Sequence, residues 1–286
     1  MKSVLDIYID FEAIRSTFKF RNKRFKSKRA IPFAYTIGYF DNHNVFNHKT
    51  TIVDFRQNKT YEKIASDLKE KLKDDIFSIM QSLDFEKINF LAFAPNLEKT
   101  LLSEFFGPNI SVSSIFHSEE VSLLALTKHE FKKSYFSFLK TLVAKEYSEM
   151  EIKKYGLDQD GALASFCGFL LLINNWKITN LLTFEEQQKL LNELAEYSED
   201  DVLRLQFLSL HPEIVNNRFN QIVKLRSFKR SVTLHSLELF NLAQNLKKYN
   251  FDDNMTIGEL KKSIESDIKE KKEIEKIIQE RINKVV

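Results

Sequence analysis

The sequence predicts an α/β fold, a mixed sheet flanked by helices, followed by an all-helical C-terminal extension. Two observations support this prediction. In the N-terminal third of the 286 residues, runs rich in β-branched and aromatic residues alternate with segments of helical spacing. From Ser118 to the end, the pattern is almost wholly helical. We therefore expect one domain over residues 1–211 and a helical extension over residues 212–286.

The first three elements are predicted to be consecutive antiparallel strands. The apolar run 7–12 is the first, and the runs 32–40 and 44–55 are the second and third. Asp41-Asn42-His43 between the last two is typical of a turn.

Helices and a further strand follow. Residues 61–83 carry apolar side chains at helical spacing, and 88–93 is a short apolar strand. Asn96, preceded by Pro95, is the predicted N-cap of the next helix. A later helix covers 191–210.

The C-terminal extension is predicted to hold three helices. Residues 213–255 read as two of them, and Thr256 opens a highly charged last helix. Its apolar spacing does not hold a strict heptad, so a dimer through this helix is an alternative to packing on the chain's own surface.

Composition narrows the class of protein. Hydrophobic residues make up 43% and charged residues 29%. This composition is typical of neither a disordered polyelectrolyte nor a membrane protein. The longest apolar stretch, 166–173, is far shorter than the roughly 20 residues that span a bilayer. Cys167 is the single cysteine, which excludes an internal disulfide. The simplest expectation is a cytoplasmic protein.

Acidic residues in three of these elements are candidate metal ligands. Asp10 and Glu12 lie one residue apart in the first strand, so their side chains leave the same face. Glu98 falls in the first turn of a helix, and Tyr197 and Asp201 share one face of another. Hard oxygen ligands suit Mg²⁺ or Mn²⁺. For each acid taken alone, a capping or surface role is the alternative.

The segment Arg15 to Arg29 is strongly basic and directly follows the acidic strand. It holds eight basic residues, no acid and three phenylalanines. Cations interleaved with aromatic side chains suit single-stranded nucleic acid, whose phosphates they neutralise and whose bases they stack on. The alternative is a solvated basic hairpin. The candidate contacts are Arg15, Lys19, Phe20, Arg21, Lys23, Arg24, Phe25, Lys26, Lys28 and Arg29.

In their order and spacing, these motifs resemble the DEDD superfamily of 3′–5′ exonucleases, which has a ribonuclease H-like fold. The motifs are Asp10-x-Glu12, Glu98 after a strand-to-helix turn, and Tyr197-x-x-x-Asp201. Further segments resemble an uncharacterised bacterial branch with the tyrosine type of third motif. They are Ile31-Pro32-Phe33-x-Tyr35, Phe93-x-x-x-x-Glu98-Lys99, Ser137-x-x-Lys140 and Gly161-x-x-Ala164. The resemblance covers about residues 3 to 210.

The resemblance implies a two-metal hydrolysis of phosphodiester bonds from a 3′ end. Asp10 would bridge two Mg²⁺ or Mn²⁺ ions, Glu12 and Asp201 would complete the site on the nucleophile side, and Glu98 would help to hold the second ion. Tyr197 would orient the attacking water. Lys140 joins the candidate nucleic-acid contacts, and the implied partner is single-stranded RNA or DNA.

The chain departs from the family pattern in the second motif. Ala94 stands where an asparagine is usual, and Glu98 replaces an aspartate. A catalytically weak or inactive nucleic-acid-binding protein on the same fold is therefore the alternative function.

Overall fold

The computed structural model describes residues 4–15, 18–21, 23–25, 29–58, 60–116, 121–175, 181–248 and 255–285. The chain divides into two compact units, 1–212 and 213–286, one residue from the division expected above. The strands are β1 (Leu5–Ile14), β2 (Phe18–Phe20), β3 (Lys23–Phe25), β4 (Ile31–Phe40), β5 (Phe46–Ile52), β6 (Ile88–Ala92) and β7 (Ser111–Ser114). The helices are α1 (Tyr61–Met80), α2 (Asn96–Phe106), α3 (Leu123–Thr127), α4 (Ser137–Glu146), α5 (Glu149–Tyr155), α6 (Asp160–Asn175), α7 (Phe184–Leu210), α8 (Pro212–Lys248) and α9 (Met255–Val285). A 3₁₀ turn (Phe85–Lys87) precedes β6.

Five strands form one mixed sheet in the order β5-β4-β1-β6-β7. The β1–β4 and β4–β5 pairs are antiparallel, and the β1–β6 and β6–β7 pairs are parallel. The predicted α/β class, with a mixed sheet flanked by helices, is therefore confirmed. In the middle of this sheet, β1 lies between an antiparallel and a parallel neighbour.

The register of β1 against β4 is interrupted beside the acidic residues. Asp10 lies opposite Thr36 and Glu12 opposite Ala34, and the pairing then shifts between Glu12 and Ala13. Such irregularities bend a strand and redirect its side chains, and they are common next to functional sites.

Helix α6 packs tightly against this irregular part of the sheet. Its side chains from Leu163 to Ile173 are buried. A Cβ added to Gly168 would lie 2.3 Å from the ring of Phe33, which is itself fully buried. Glycine is therefore required where α6 crosses β4.

The structure corrects several boundaries. Asn96 is the first residue of α2, and the cap position is Pro95, which forms no side-chain cap hydrogen bond. The segment 213–248 belongs to one continuous helix, α8, where two helices were expected over 213–255. The patterns also missed β7, because its serine-rich sequence is not typical of a buried strand.

The second unit contains most of α8 and all of α9. Ser236 of α8 hydrogen-bonds Glu275 of α9, and Lys271 of α9 pairs with Glu238 of α8. These contacts join the two helices side by side.

Within the described residues, no single helix has both the length and the apolar composition needed to cross a membrane. The pair α5 and α6 meets those two criteria only when counted together, across a bend of 94°.

Candidate metal centre

Three carboxylates from two distant parts of the chain meet above the middle of the sheet. Asp10 and Glu12 come from β1, and Asp201 comes from α7. One oxygen from each of the three lies within 4.8 Å of the others, close enough to hold one metal ion. Carboxylate oxygens are hard ligands, so the donor set suits a divalent cation that prefers oxygen.

The packing of α7 on the sheet brings Asp201 to β1. Val202 and Leu205, on the same helix, are buried against Tyr8 of β1. This close approach depends on Gly38 of β4, where an added Cβ would lie 2.8 Å from Val202. Helix and sheet therefore fix the distance between Asp201 and the strand acids.

Two of the three carboxylates have a polar neighbour on α7. The hydroxyl of Ser198, which is fully buried, donates to Glu12 at 3.4 Å. Arg204 Nε lies 3.5 Å from an oxygen of Asp201. These contacts orient the acids from the protein side of the cluster.

Arg204 is itself held in a fully buried network. Its guanidinium donates to Thr127 Oγ1 at 2.6 Å and to the Tyr135 hydroxyl at 3.0 Å, and it lies over the ring of Phe131. A buried guanidinium needs such partners, because an unpaired one carries a large desolvation penalty. The network thereby fixes the position of the cation beside Asp201.

Glu98 lies near the three carboxylates without joining the group within 4.8 Å. It is buried in the first turn of α2, and its charge contributes to the raised pKa of Asp10. Burial raises the pKa of Glu98, while its own backbone N–H, the Arg15 charge and the Phe11 backbone N–H act in the opposite direction. Electrostatically, Glu98 belongs to the same site.

Tyr197 borders the cluster and hydrogen-bonds Asp201. Its ring packs against Tyr135 and Phe136, with centroids 5.4 and 5.1 Å away. Burial and the charge of Asp201 raise the pKa of the phenol well above its ordinary value. The hydroxyl therefore stays protonated and donates its one proton to Asp201, which leaves its oxygen as a hydrogen-bond acceptor.

The three carboxylates all resist ionisation. Burial and the neighbouring acids Glu12, Asp201 and Glu98 raise the pKa of Asp10 well above its ordinary value. Burial and the charge of Asp201 raise the pKa of Glu12 to about 8. Burial raises the pKa of Asp201 to about 6, although Tyr197 and Arg204 oppose the shift. A cation among them would favour their charged forms.

The predicted nucleic-acid contacts have different surroundings. Arg15 is exposed, and its charge lowers the pKa of Asp10, Glu12 and Glu98. Lys19 is exposed on β2. Lys140 pairs with Asp160, whereas Arg21 pairs with Glu146, and Arg29 pairs with Glu62 and Glu104 and lies over Tyr61.

The predicted stacking role of Phe20 is wrong. Phe20 is 1% exposed and packs against Phe166 of α6, so it belongs to the core. The short hairpin of β2 and β3 turns this face inwards, as the equally buried Phe18 shows. Lys26 and Lys28 lie outside the described residues, and only the backbone is described for Lys23, Arg24 and Phe25.

Two residues that contact the acids were missed at the sequence level, Ser198 and Arg204. Each is three residues from Asp201 on α7 and so shares its helix face. In the sequence, Arg204 lies within the apolar run Val202 to Leu205, which is an available signal for a buried arginine.

Comparison with protein-family models, curated proteins and solved structures gives no match to this chain.

Proposed function

We propose that this protein is a two-metal-ion 3′–5′ exonuclease of the DEDD superfamily, with a ribonuclease H-like fold. Its proposed substrate is single-stranded RNA or DNA, its cofactor two Mg²⁺ or Mn²⁺ ions, and its location the cytoplasm. The observation that carries the proposal is the approach of Asp10, Glu12 and Asp201 to within 4.8 Å. Burial raises the pKa values of all three acids, which disfavours their charged forms in the absence of a cation.

The residues take separate roles in this proposal. Asp10, Glu12 and Asp201 would hold one ion, and Glu98 would help to hold the second. Bound ions would supply Lewis-acid activation of water and would stabilise negative charge on the leaving 3′ oxygen. Asp201 fixes the phenol of Tyr197 by accepting its hydrogen bond, and the phenol oxygen would orient the attacking water by accepting a hydrogen bond from it.

Ser198 and Arg204 keep the carboxylates in place. Ser198 donates to Glu12, and Arg204 lies beside Asp201 on the side of the cluster that faces the protein. Both therefore act before any substrate arrives, since preorganised ligands need no rearrangement when the ions bind.

The test is degradation of single-stranded RNA and DNA, labelled at either end, with Mg²⁺ or Mn²⁺ present. We expect the full chain to produce a ladder from the 3′ end, and we expect Asp10→Ala and Asp201→Ala to abolish it. Glu196→Gln is the matched control, because Glu196 lies on the same helix with an exposed side chain paired to Lys133.

Calorimetric titration with Mn²⁺ separates this proposal from a nucleic-acid-binding protein without turnover. We expect binding that Asp10→Ala abolishes and Glu196→Gln leaves unchanged. If the native chain binds oligonucleotides, leaves them intact and takes up no Mn²⁺, the proposed exonuclease activity is refuted. Ala94 would then be the first position to examine.

A further inference from the structure

A second charged pair lies beside Tyr197, outside the group of three carboxylates. Lys140 Nζ of α4 is 2.8 Å from Asp160 Oδ1, at the first residue of α6. A Cβ added to the next residue, Gly161, would lie 3.8 Å from the Tyr197 hydroxyl oxygen. The start of α6 therefore borders the phenol that hydrogen-bonds Asp201. In agreement, the charge of Asp160 contributes to the raised pKa of Asp201.

The exposure of this pair limits its contribution to stability. The Lys140 side chain is 41% exposed and that of Asp160 is 19% exposed. An ion pair this open to solvent stabilises a fold by only about 0 to 1 kcal/mol. It does, however, hold a lysine ammonium beside Asp160, whose neighbour in sequence, Gly161, borders the Tyr197 hydroxyl. Lysine is a common phosphate ligand because its ammonium acts as a compact point charge.

Lys140 differs from other cations of the predicted nucleic-acid surface in the position of the acid with which it pairs. Arg21 pairs with Glu146, the last residue of α4, and Arg29 pairs with Glu62 in the first turn of α1. The acid that pairs with Lys140 is next in sequence to the glycine that faces Tyr197. Asp160 and Gly161 thus connect this ammonium to the Tyr197 side of the acid cluster.

We propose that Lys140 binds a backbone phosphate of the substrate on the Tyr197 side of the acid cluster, with Asp160 as its positioning residue. The inference rests on the proposed function, because it needs nucleic acid at the cluster. Lys140 is then a substrate contact, and Asp160 acts through it.

The first experiment measures binding of a single-stranded oligonucleotide by fluorescence anisotropy, with Ca²⁺ in place of Mg²⁺ and over a series of salt concentrations. We expect Lys140→Ala to raise the dissociation constant about tenfold and to reduce the steepness of its dependence on log salt by about 0.7, the value for one phosphate contact on a single strand. Lys140→Arg retains the charge and should restore the slope. Lys145→Ala, on the same helix and exposed, is the control and should leave both quantities unchanged.

The second experiment tests the positioning role of Asp160 by turnover. Asp160→Asn keeps the ammonium but releases it, so we expect kcat to fall while the salt slope of binding stays as in the native chain. Circular dichroism and Mn²⁺ calorimetry of each variant check that the fold and the metal site are intact.

The outcomes are distinct. If the native chain degrades the oligonucleotide and Lys140→Ala matches it in affinity and salt slope, the phosphate contact is refuted while the exonuclease stands. If the native chain binds without degrading, loss of affinity in Lys140→Ala still supports the contact and the proposed enzyme fails. If the native chain binds no oligonucleotide, both are refuted. Native kcat in Asp160→Asn refutes the positioning role alone.

Discussion

Replacing Glu12 by glutamine should make the metal-free protein more stable at neutral pH. The pKa of Glu12 is about 8 in the folded chain, against 4.5 ordinarily. At about 1.4 kcal/mol per pKa unit, this shift corresponds to about 5 kcal/mol, which is an upper bound because the acids titrate together. Glutamine has the same shape and still accepts the hydrogen bond from Ser198, so the substitution removes the charge alone.

Proton linkage gives the direction in which Glu12→Gln changes the free energy of unfolding. Below about pH 4.5, Glu12 is protonated in both the folded and the unfolded chain. As the pH rises towards 8, the unfolded chain releases this proton and the folded chain keeps it, so the native free energy of unfolding falls. Glu12→Gln should therefore match the native chain near pH 4 and exceed it by a few kcal/mol near pH 8.

Urea unfolding across this pH range, followed by circular dichroism, measures the effect. The exposed Glu86 supplies the control, and Glu86→Gln should follow the native chain at every pH. Addition of Mn²⁺ should then raise the stability of the native chain but not that of Glu12→Gln, because a ligand that binds only the folded state stabilises it. A Glu12→Gln protein that is less stable than the native chain at pH 8, or a difference independent of pH, would refute the electrostatic argument.

Three further predictions concern the surroundings of the cluster. Arg204→Met should lower the free energy of unfolding by about 3 kcal/mol and weaken Mn²⁺ binding in calorimetry, because it removes the buried cation beside Asp201 and the hydrogen bonds to Thr127 and Tyr135. Arg204→Lys keeps the positive charge and should retain more of the stability and of the Mn²⁺ affinity. Gly168→Ala should cost about 1 to 3 kcal/mol in urea unfolding, since the added methyl group meets the buried ring of Phe33 at 2.3 Å. Ala94 has φ of 46°, a left-handed conformation that asparagine adopts more readily than alanine. Ala94→Asn should therefore gain about 1 kcal/mol, and equal or lower stability would contradict this.

The parts of this fold that follow a simple periodicity could be predicted from the sequence. Alternation along β1 places Asp10 and Glu12 on one face, and helical spacing places Tyr197 beside Asp201. The burial of Phe20 could not be predicted in this way. Alternation in a three-residue strand shows which side chains share a face, but it does not show which face meets the core. The partners Ser198 and Arg204 depend on the rotation of α7 about its axis, which packing against β1 and β4 decides.

The stability of the metal-free chain and its affinity for metal both depend on the negative charge of the acid cluster. Mutual repulsion and burial raise the pKa values of Asp10, Glu12 and Asp201, and the same field attracts a divalent cation. Neutral substitutions at Asp10 and Glu12, which have no buried cation to leave unpaired as Asp201 has in Arg204, should therefore make the metal-free chain more stable while they weaken Mn²⁺ binding. A merely structural role predicts the opposite pattern, in which each substitution lowers stability and no cation restores it. Measuring both quantities on the same variants thus tests the site without reference to any substrate.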